Sequence, residues 1–495
     1  MSATISDNAL EEFLPGSLRA GVARREITIC QAGVAVHDPL FVKALVMDDG
    51  KIPIVIITMD AVAIGGIADV RDDFLSRLRL RIEEELGIPG AHVLVNASHT
   101  HPANHILCDD ADLFERVFDT VRQAQAEKVD ARVGAGRGQE DRIIINRTLR
   151  LKDGRAWTIR HSNPCPPDED VQALGPIDPE IGLLKVDRLD GTTLAVVYNY
   201  ACHTLIGVPS GAITANFSGF ASEVIEENLP GATALFLQGA AGDVTEVLYK
   251  DVSRPRDARP LGILLGLSVL AGLKGIQTGL ADIAFLNEPL DLPRRTDSDE
   301  RIAELEKERD ALLASLRFTS LNIKSFIPLY VKHLMDPAHP ADYSYRYLQE
   351  EQRGVDDLRC LDAENRGSLD KYLRNIRAME ALTQLVDNLE TLKKHRAENL
   401  QAGGAPIPTE VLGVRIGEFV LITSATEVLT EISLNIKKAS PHPHTFIAAF
   451  TNGYVHYGAP AGDYARGGYE VMECLLAPEW QALFETKAAD MLRRL

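Results

Sequence analysis

Residues Val93–His105 read VLVNASHTHPANH, an apolar run that ends in three histidines within seven residues. The apolar run is typical of a buried β-strand. On an extended backbone residues i and i+2 share a face, so His99 and His101 would present both imidazoles to one space. Such a pair can hold a metal, polarise a carbonyl or cap a core, and the rest of the chain has to distinguish these roles.

Outward from this stretch, the chain repeats one plan in which an apolar run is followed by a turn and a helical pattern. The apolar runs are IPIVIITMDAVAIGG, AHVLVNASHTH, LAVVYNYACHT, ATALFLQGAAGDV, EFVLITSATE and TFIAAFTNGYVHY. Strands that alternate with helices indicate an α/β fold. We therefore predict an α/β domain of mixed sheets with flanking helices.

Residues 299–402 depart from this plan because their charge density is high and their apolar spacing is helical. Two long amphipathic helices joined by a Pro- and Tyr-containing stretch are predicted there. The expected domains are an α/β domain, 1–298 with 403–495, and an inserted helical arm, 299–402. The arm is expected to be a packing or dimer element and thus to allow a homodimer; a lid over a site is the alternative.

Composition restricts the classes of function. The chain has 495 residues, 45% of them apolar, and a net charge of −19. Such charge repels phosphate backbones, so nucleic-acid binding is not expected. No run approaches the roughly 18 apolar residues of a membrane span, and residues 1–17 lack a secretory pattern. Six scattered cysteines without a CxxC motif fit reduced thiols in a cytoplasmic protein.

Potential metal ligands follow several of the apolar runs. His99 and His101 follow one, His203 the next, and Glu427 and Tyr457 follow two late runs. Ligand sites in open α/β sheets gather beyond the carboxyl ends of strands, so these side chains are expected to converge on one side of the sheet. Two histidines and a carboxylate are a common catalytic zinc set, and zinc would lower the pKa of a bound water towards about 7 and create a hydroxide nucleophile. Each residue taken singly also fits a purely structural role.

Other catalytic motifs are excluded by their missing residues. HTHPANH has Ala103 and Asn104 where the metallo-β-lactamase signature needs Asp and His. The segment GAAGDV lacks the GK[ST] of a phosphate-binding loop and is interpreted as a tight turn. There is no GxSxG, which argues against a serine nucleophile elbow.

Residues 18–290 and 403–475 resemble the catalytic domain of the neutral/alkaline, non-lysosomal ceramidase superfamily. Members of that superfamily are zinc-dependent amidases with an α/β catalytic domain. The motifs that carry the resemblance occur in the family's order: GVARREIT, SHTH, INRT, IDPEIGLLKVD, YACHT, FSGFAS and FLQGAAGDV. The match lacks the immunoglobulin-like C-terminal domain of true ceramidases, and the helical arm is not part of the pattern.

The resemblance implies a zinc site held by His99, His203, Glu427 and Tyr457. Glu427 lies in an ATE turn where the family has PGE. Tyr454 is the other tyrosine of the family's Y-x-x-Y segment, and it competes with Tyr457 for the ligand role. The cofactor expected from this set is Zn²⁺.

His101, Arg147 of INRT and Tyr469 would form the catalytic set that does not bind the metal. His101 and Tyr469 can donate hydrogen bonds to an oxyanion, and Arg147 can orient a polar or anionic part of the substrate. The prediction is a zinc amidase that acts on a small or acyl-amide substrate in solution rather than on membrane ceramide. A zinc esterase or lactonase with the same site, and a non-catalytic α/β binding protein, are the alternatives.

Overall fold

The structure is a computed structural model that describes residues 18–101, 105–160, 165–247 and 254–495. The segment 1–17, on which the expectation about a secretory signal rests, lies outside these residues, as do Ala103 and Asn104. No helix of the described ranges is long and apolar enough to cross a membrane.

The strands of the described residues vary from two to eleven residues in length. They are, in chain order, β1 (Leu18–Glu26), β2 (Phe41–Asp48), β3 (Pro53–Met59), β4 (Val93–Ala97), β5 (Val129–Gln139), β6 (Ile144–Asn146), β7 (Thr148–Leu151), β8 (Ala156–Thr158), β9 (Val171–Leu174), β10 (Glu180–Arg188), β11 (Thr193–Tyr200), β12 (Thr233–Gln238), β13 (Val244–Glu246), β14 (Ile283–Leu292), β15 (Ile407–Ile416), β16 (Phe419–Thr423), β17 (Glu427–Val428), β18 (His444–Ala448) and β19 (Tyr457–Gly458).

The helices flank these strands or form a separate unit. They are α1 (Phe74–Leu86), α2 (Asp110–Ala126), α3 (Asn216–Asn228), α4 (Arg259–Leu273), α5 (Ser298–Ser315), α6 (Ile323–Met335), α7 (Ser344–Gln352), α8 (Asp357–Gln401), α9 (Thr430–Ala439), α10 (Tyr469–Met472) and α11 (Trp480–Arg494). Large sheets and helices occur together throughout the described residues, so the predicted mixed α/β class is confirmed.

The largest sheet has eight strands in the order β12-β11-β10-β5-β1-β2-β3-β4. Its parallel pairs, β3 with β4 and β11 with β12, are each connected through a helix, α1 or α3. Both strands of the first pair are almost entirely buried, as expected of parallel strands that are covered on two faces. These crossovers place the segments after β4 and β11 at carboxyl ends of parallel strands.

The late ligand residues follow β16 and β18, which belong to a second sheet with the order β14-β15-β16-β18, and they themselves lie in a separate two-stranded pair, β17 with β19. The expectation that all ligands follow strands of one sheet is therefore wrong. The sheets share a core in which Phe419 and Phe446 pack with strands of the large sheet. Gly182 on β10 admits Phe446, because a Cβ there would lie 2.6 Å from the ring. Close face-to-face packing brings the two sets of strand ends together.

Asn96, near the end of β4, joins the two outermost strands of the large sheet. Its Oδ1 accepts a hydrogen bond from the backbone N–H of Gln238 at the end of β12, at 2.8 Å. Its Nδ2 donates to the carbonyl of Ala449, just after β18, at 2.6 Å. One fully buried side chain thus ties three strand ends at a common point beside His99.

The chain divides into two compact units, and Thr296–Gly403 makes up nearly all of the second. The predicted insertion, 299–402, lies within that range. Its two long helices are α5 and α8, but α6 and α7 were not predicted from the sequence. In α6 an Asn322 capping box starts the helix: the Asn322 side chain accepts from the backbone N–H groups of Lys324 and Ser325.

Candidate metal centre and active site

His99 is fixed by the backbone of the preceding strand connection. Its own N–H donates to the carbonyl of Ala61 at 2.9 Å, and its Nδ1 lies 2.7 Å from the carbonyl oxygen of Val62. A carbonyl only accepts, so Nδ1 carries the proton and the Nε2 of the neutral ring presents a lone pair. The residue is fully buried against the ring of Phe450 and has a left-handed backbone with φ of 61°.

His203 is held in the same way by the GAAGDV turn. Its Nδ1 is hydrogen-bonded to the carbonyl of Ala241 and lies 3.2 Å from that of Val244. The loops that carry the two histidines are joined by a β-bridge between Thr100 and Thr204. The turn interpreted from sequence as a plain connection therefore sets the orientation of a predicted ligand.

Glu427 and Tyr457 are partners in register in the short parallel pair of β17 and β19. The Oε2 of Glu427 lies 3.1 Å from the Nε2 of His203 and 3.6 Å from the Nε2 of His99. Its Oε1 accepts a hydrogen bond from the hydroxyl of Tyr454 at 2.5 Å. The carboxylate is buried and occupies the centre of the cluster.

The protonation states follow from these surroundings. Burial lowers the pKa of His99 to about 4, although the Glu427 carboxylate favours the charged ring. Burial alone would raise the pKa of Glu427, but His99, His203 and the Tyr454 hydroxyl outweigh it and hold that pKa well below its usual range. The site therefore contains an ionised carboxylate beside a neutral imidazole at pH 7.

The donor set of this cluster fits a cation. The Nδ1 atoms of His99 and His203 are engaged by carbonyls, so both Nε2 atoms face the Oε2 of Glu427. Two imidazole lone pairs and a carboxylate oxygen repel one another unless a positive charge lies among them. Imidazole nitrogens with a carboxylate are ligands that suit zinc.

His101 lies at the outer side of the cluster and is exposed. Its Nε2 is 2.7 Å from the Nε2 of His99. The ligand nitrogens of His99, His101 and His203 all lie within 4.8 Å of one another, so geometry alone also admits His101 as a ligand. Its exposure equally suits a group that meets a substrate.

Arg147 is buried and its partners are protein groups. Its Nη2 donates to the hydroxyl of Tyr457 at 2.9 Å and to the carbonyl of Gly242 at 2.9 Å. Its Nε donates to Glu470 Oε1 at 2.9 Å. These contacts tie Arg147 to Tyr457, and its role in orienting the substrate stays a prediction.

Tyr469 is half-buried beside Tyr457, with ring centroids 5.5 Å apart. The guanidinium of Arg160 lies over its ring at 3.8 Å. Burial raises the pKa of the Tyr469 hydroxyl, so the phenol stays protonated and able to donate a hydrogen bond. The structure thus places Tyr469 next to Tyr457, one of the predicted ligands.

Several residues of the site were missed by sequence reasoning. Glu470 neutralises Arg147 and accepts from Thr148 and Thr158. One signal was available: a buried arginine needs a carboxylate partner, and Glu470 follows Tyr469 directly. No sequence pattern pointed to Phe450 or Arg160, because their positions near the site depend on the tertiary structure.

Solved structures provide the comparison for this arrangement. A ceramidase complexed with C2 superposes with a TM-score of 0.60 at 17% identity and covers 97% of this chain and 76% of its own. The neutral ceramidase from Pseudomonas aeruginosa gives a TM-score of 0.58 at 15% identity and covers 97% and 75%. This chain has the neutral ceramidase fold.

The resemblance inferred from the sequence motifs is thereby confirmed at the level of the ceramidase fold. No family model matches the sequence, and no curated protein matches it either. Identities of 15–17% establish the ceramidase fold alone, so the roles of the individual residues rest on the geometry described above.

Proposed function

We propose that this protein is a zinc-dependent hydrolase that cleaves the amide bond of an acyl-amide substrate. The observation that carries the proposal is the convergence of the Nε2 atoms of His99 and His203 on one Glu427 oxygen while both Nδ1 atoms are held by backbone carbonyls. Carbonyl partners of this kind fix the tautomer of metal-binding histidines in zinc enzymes.

His99, His203, Glu427 and Tyr457 are the residues that would hold the zinc. His99, His203 and Glu427 make up the two-histidine, one-carboxylate set that is typical of catalytic zinc sites, and Tyr457 would add a fourth protein ligand. Tyr457 receives a hydrogen bond from the Arg147 guanidinium, which stabilises negative charge on the phenol oxygen. Burial raises the pKa of the Tyr457 hydroxyl, and Arg147 opposes that rise, so Arg147 would favour the anionic form of Tyr457 once a cation is bound.

Bound zinc supplies Lewis acidity and activates water for attack on the substrate carbonyl. The hydroxyl of Tyr469 and a ring N–H of His101 donate hydrogen bonds to the oxygen on which negative charge develops. His101, at the exposed side, is also placed to give a proton to the departing amine. The same donors could stabilise the oxyanion formed from an ester. The choice between an amide and an ester substrate therefore has to be made by activity measurements.

The substrate class is tested directly on the metal-loaded protein. We expect about one zinc per chain by elemental analysis, and hydrolysis of soluble N-acyl compounds with a kcat/KM above that for micellar long-chain ceramide. A net charge of −19 disfavours approach to anionic lipid, which supports a soluble substrate. If the protein hydrolysed esters but no amides, the proposed activity would be that of an esterase. Full activity in protein stripped of metal would contradict the zinc proposal.

A second prediction tests which tyrosine of the Y-x-x-Y segment, Tyr454 or Tyr457, is the zinc ligand. Tyr457→Phe should weaken zinc affinity by roughly 10- to 100-fold or more, because it removes a ligand. Tyr454→Phe removes only a hydrogen bond to Glu427, so its loss of zinc affinity should lie at the low end of that range. Competition with a chelator measures both affinities. The reverse order would assign the ligand role to Tyr454.

A further inference from the structure

α6 carries an apolar stripe on its exposed surface. Its members recur at helical spacing and lie on one side of the helix. Their exposed fractions are 55% for Ile323, 52% for Ile327, 44% for Val331, 62% for Leu334 and 81% for Met335. We refer to these five side chains as the α6 stripe.

The stripe is not needed to hold α6 in its own unit. Phe326 points the other way, is buried, and stacks on Tyr372 of α8 with ring centroids 4.5 Å apart. Large side chains in a continuous exposed row are uncommon on monomeric proteins and mark interaction surfaces. The stripe therefore has the character of an interaction surface.

We propose that the α6 stripe is the contact between two copies of this chain, related by a two-fold axis that sets the two α6 helices antiparallel. A two-fold contact requires a self-complementary surface. Four of the five stripe residues satisfy this requirement: positions 323 and 335, like 327 and 331, are symmetric about residue 329. Antiparallel pairing about that point places Ile323 against Met335 of the second copy and Ile327 against its Val331.

The charges on α6 agree with the same register. Lys324 is exposed at the start of the helix, and Asp336 is exposed immediately after its end. Antiparallel pairing about residue 329 sets Lys324 of each copy opposite position 334 of the other, two residues from Asp336, and the long lysine side chain can reach that carboxylate. The opposed helix dipoles add to this complementarity. The dimer expected from the sequence thus gains a defined surface.

Sedimentation velocity of the full-length protein tests the proposal. We expect a dimer at micromolar concentration and a dimer Kd raised by roughly 100-fold or more in Ile327→Glu, which places a carboxylate in the apolar centre of the contact. Leu267→Glu on α4 is the matched control: its side chain is 51% exposed, and its replacement should leave the dimer intact. Circular dichroism checks that both variants remain folded.

Two lysine variants of α6 provide a second test of the dimer. Lys324→Glu should weaken the dimer by bringing like charges together, whereas Lys332→Glu, which lies off the stripe, should not. A wild-type monomer, or a dimer unaffected by Ile327→Glu, would overturn the proposal. The proposal would also be overturned if both lysine variants weakened the dimer equally and the wild-type protein bound anionic vesicles. That result would indicate that the stripe binds lipid. None of these outcomes depends on zinc or on amide hydrolysis.

Discussion

His203→Ala is expected to abolish zinc binding and to reduce amide hydrolysis by more than the 10²–10³-fold that loss of an oxyanion donor produces. The variant removes one imidazole lone pair from the cluster, and the Glu427 oxygen 3.1 Å away loses its nearest partner. Elemental analysis measures the first effect, and kcat/KM on the best N-acyl substrate measures the second. His99→Ala should behave in the same way.

His92→Ala is the matched control. His92 also has its Nδ1 on a backbone carbonyl, that of Pro53 at 2.9 Å, but it packs against Phe285 away from the cluster. Its replacement should leave zinc content unchanged. Full zinc occupancy in both His99→Ala and His203→Ala, with intact circular dichroism, would reject the ligand assignment.

Tyr469→Phe and His101→Ala are expected to keep zinc and to lower kcat by roughly 10²–10³-fold, about 2.7–4 kcal/mol of transition-state stabilisation. Each variant removes one hydrogen-bond donor from the exposed side of the cluster. Zinc content and kcat measured on the same preparation separate this effect from metal loss. The comparison is decisive for His101, since its Nε2 lies near enough to the other two histidines to be a ligand itself.

Tyr464→Phe supplies the control for the tyrosine variant. The Tyr464 hydroxyl donates to the carbonyl of Leu476 at 2.7 Å, and its loss should leave kcat within a few fold. Loss of zinc from His101→Ala would move His101 into the ligand set. An unchanged kcat in Tyr469→Phe would remove Tyr469 from the proposed chemistry.

The sequence predicted the parts of the site that follow from local strand chemistry. His99 and His203 come directly after buried runs that the structure shows as β4 and β11, each in a parallel pair. Strand periodicity and the helices between those runs contain this information. The α/β class was predicted for the same reason, whereas the ceramidase-like fold was predicted from the resemblance of motifs such as SHTH and YACHT.

The remainder depends on packing between distant segments. The placement of Glu427 beyond the end of β16, outside the large sheet, follows from sheet-on-sheet contact, including the space that Gly182 leaves for Phe446. The positions of Tyr454 and Tyr457 depend on a loop with positive φ at Phe450 and His456, which residue patterns do not reveal. Such features are set by tertiary structure and not by local propensity.

The four proposed ligands are spread from residue 99 to residue 457, and Asn96 fastens three strand ends that are equally distant in the chain. A growing polypeptide therefore cannot present the complete set until nearly all of it has been synthesised. Contacts of such long sequence separation form late and slowly. Zinc capture would accordingly report complete folding of the α/β unit, and a bound ion would lengthen its lifetime by stabilising only the finished state.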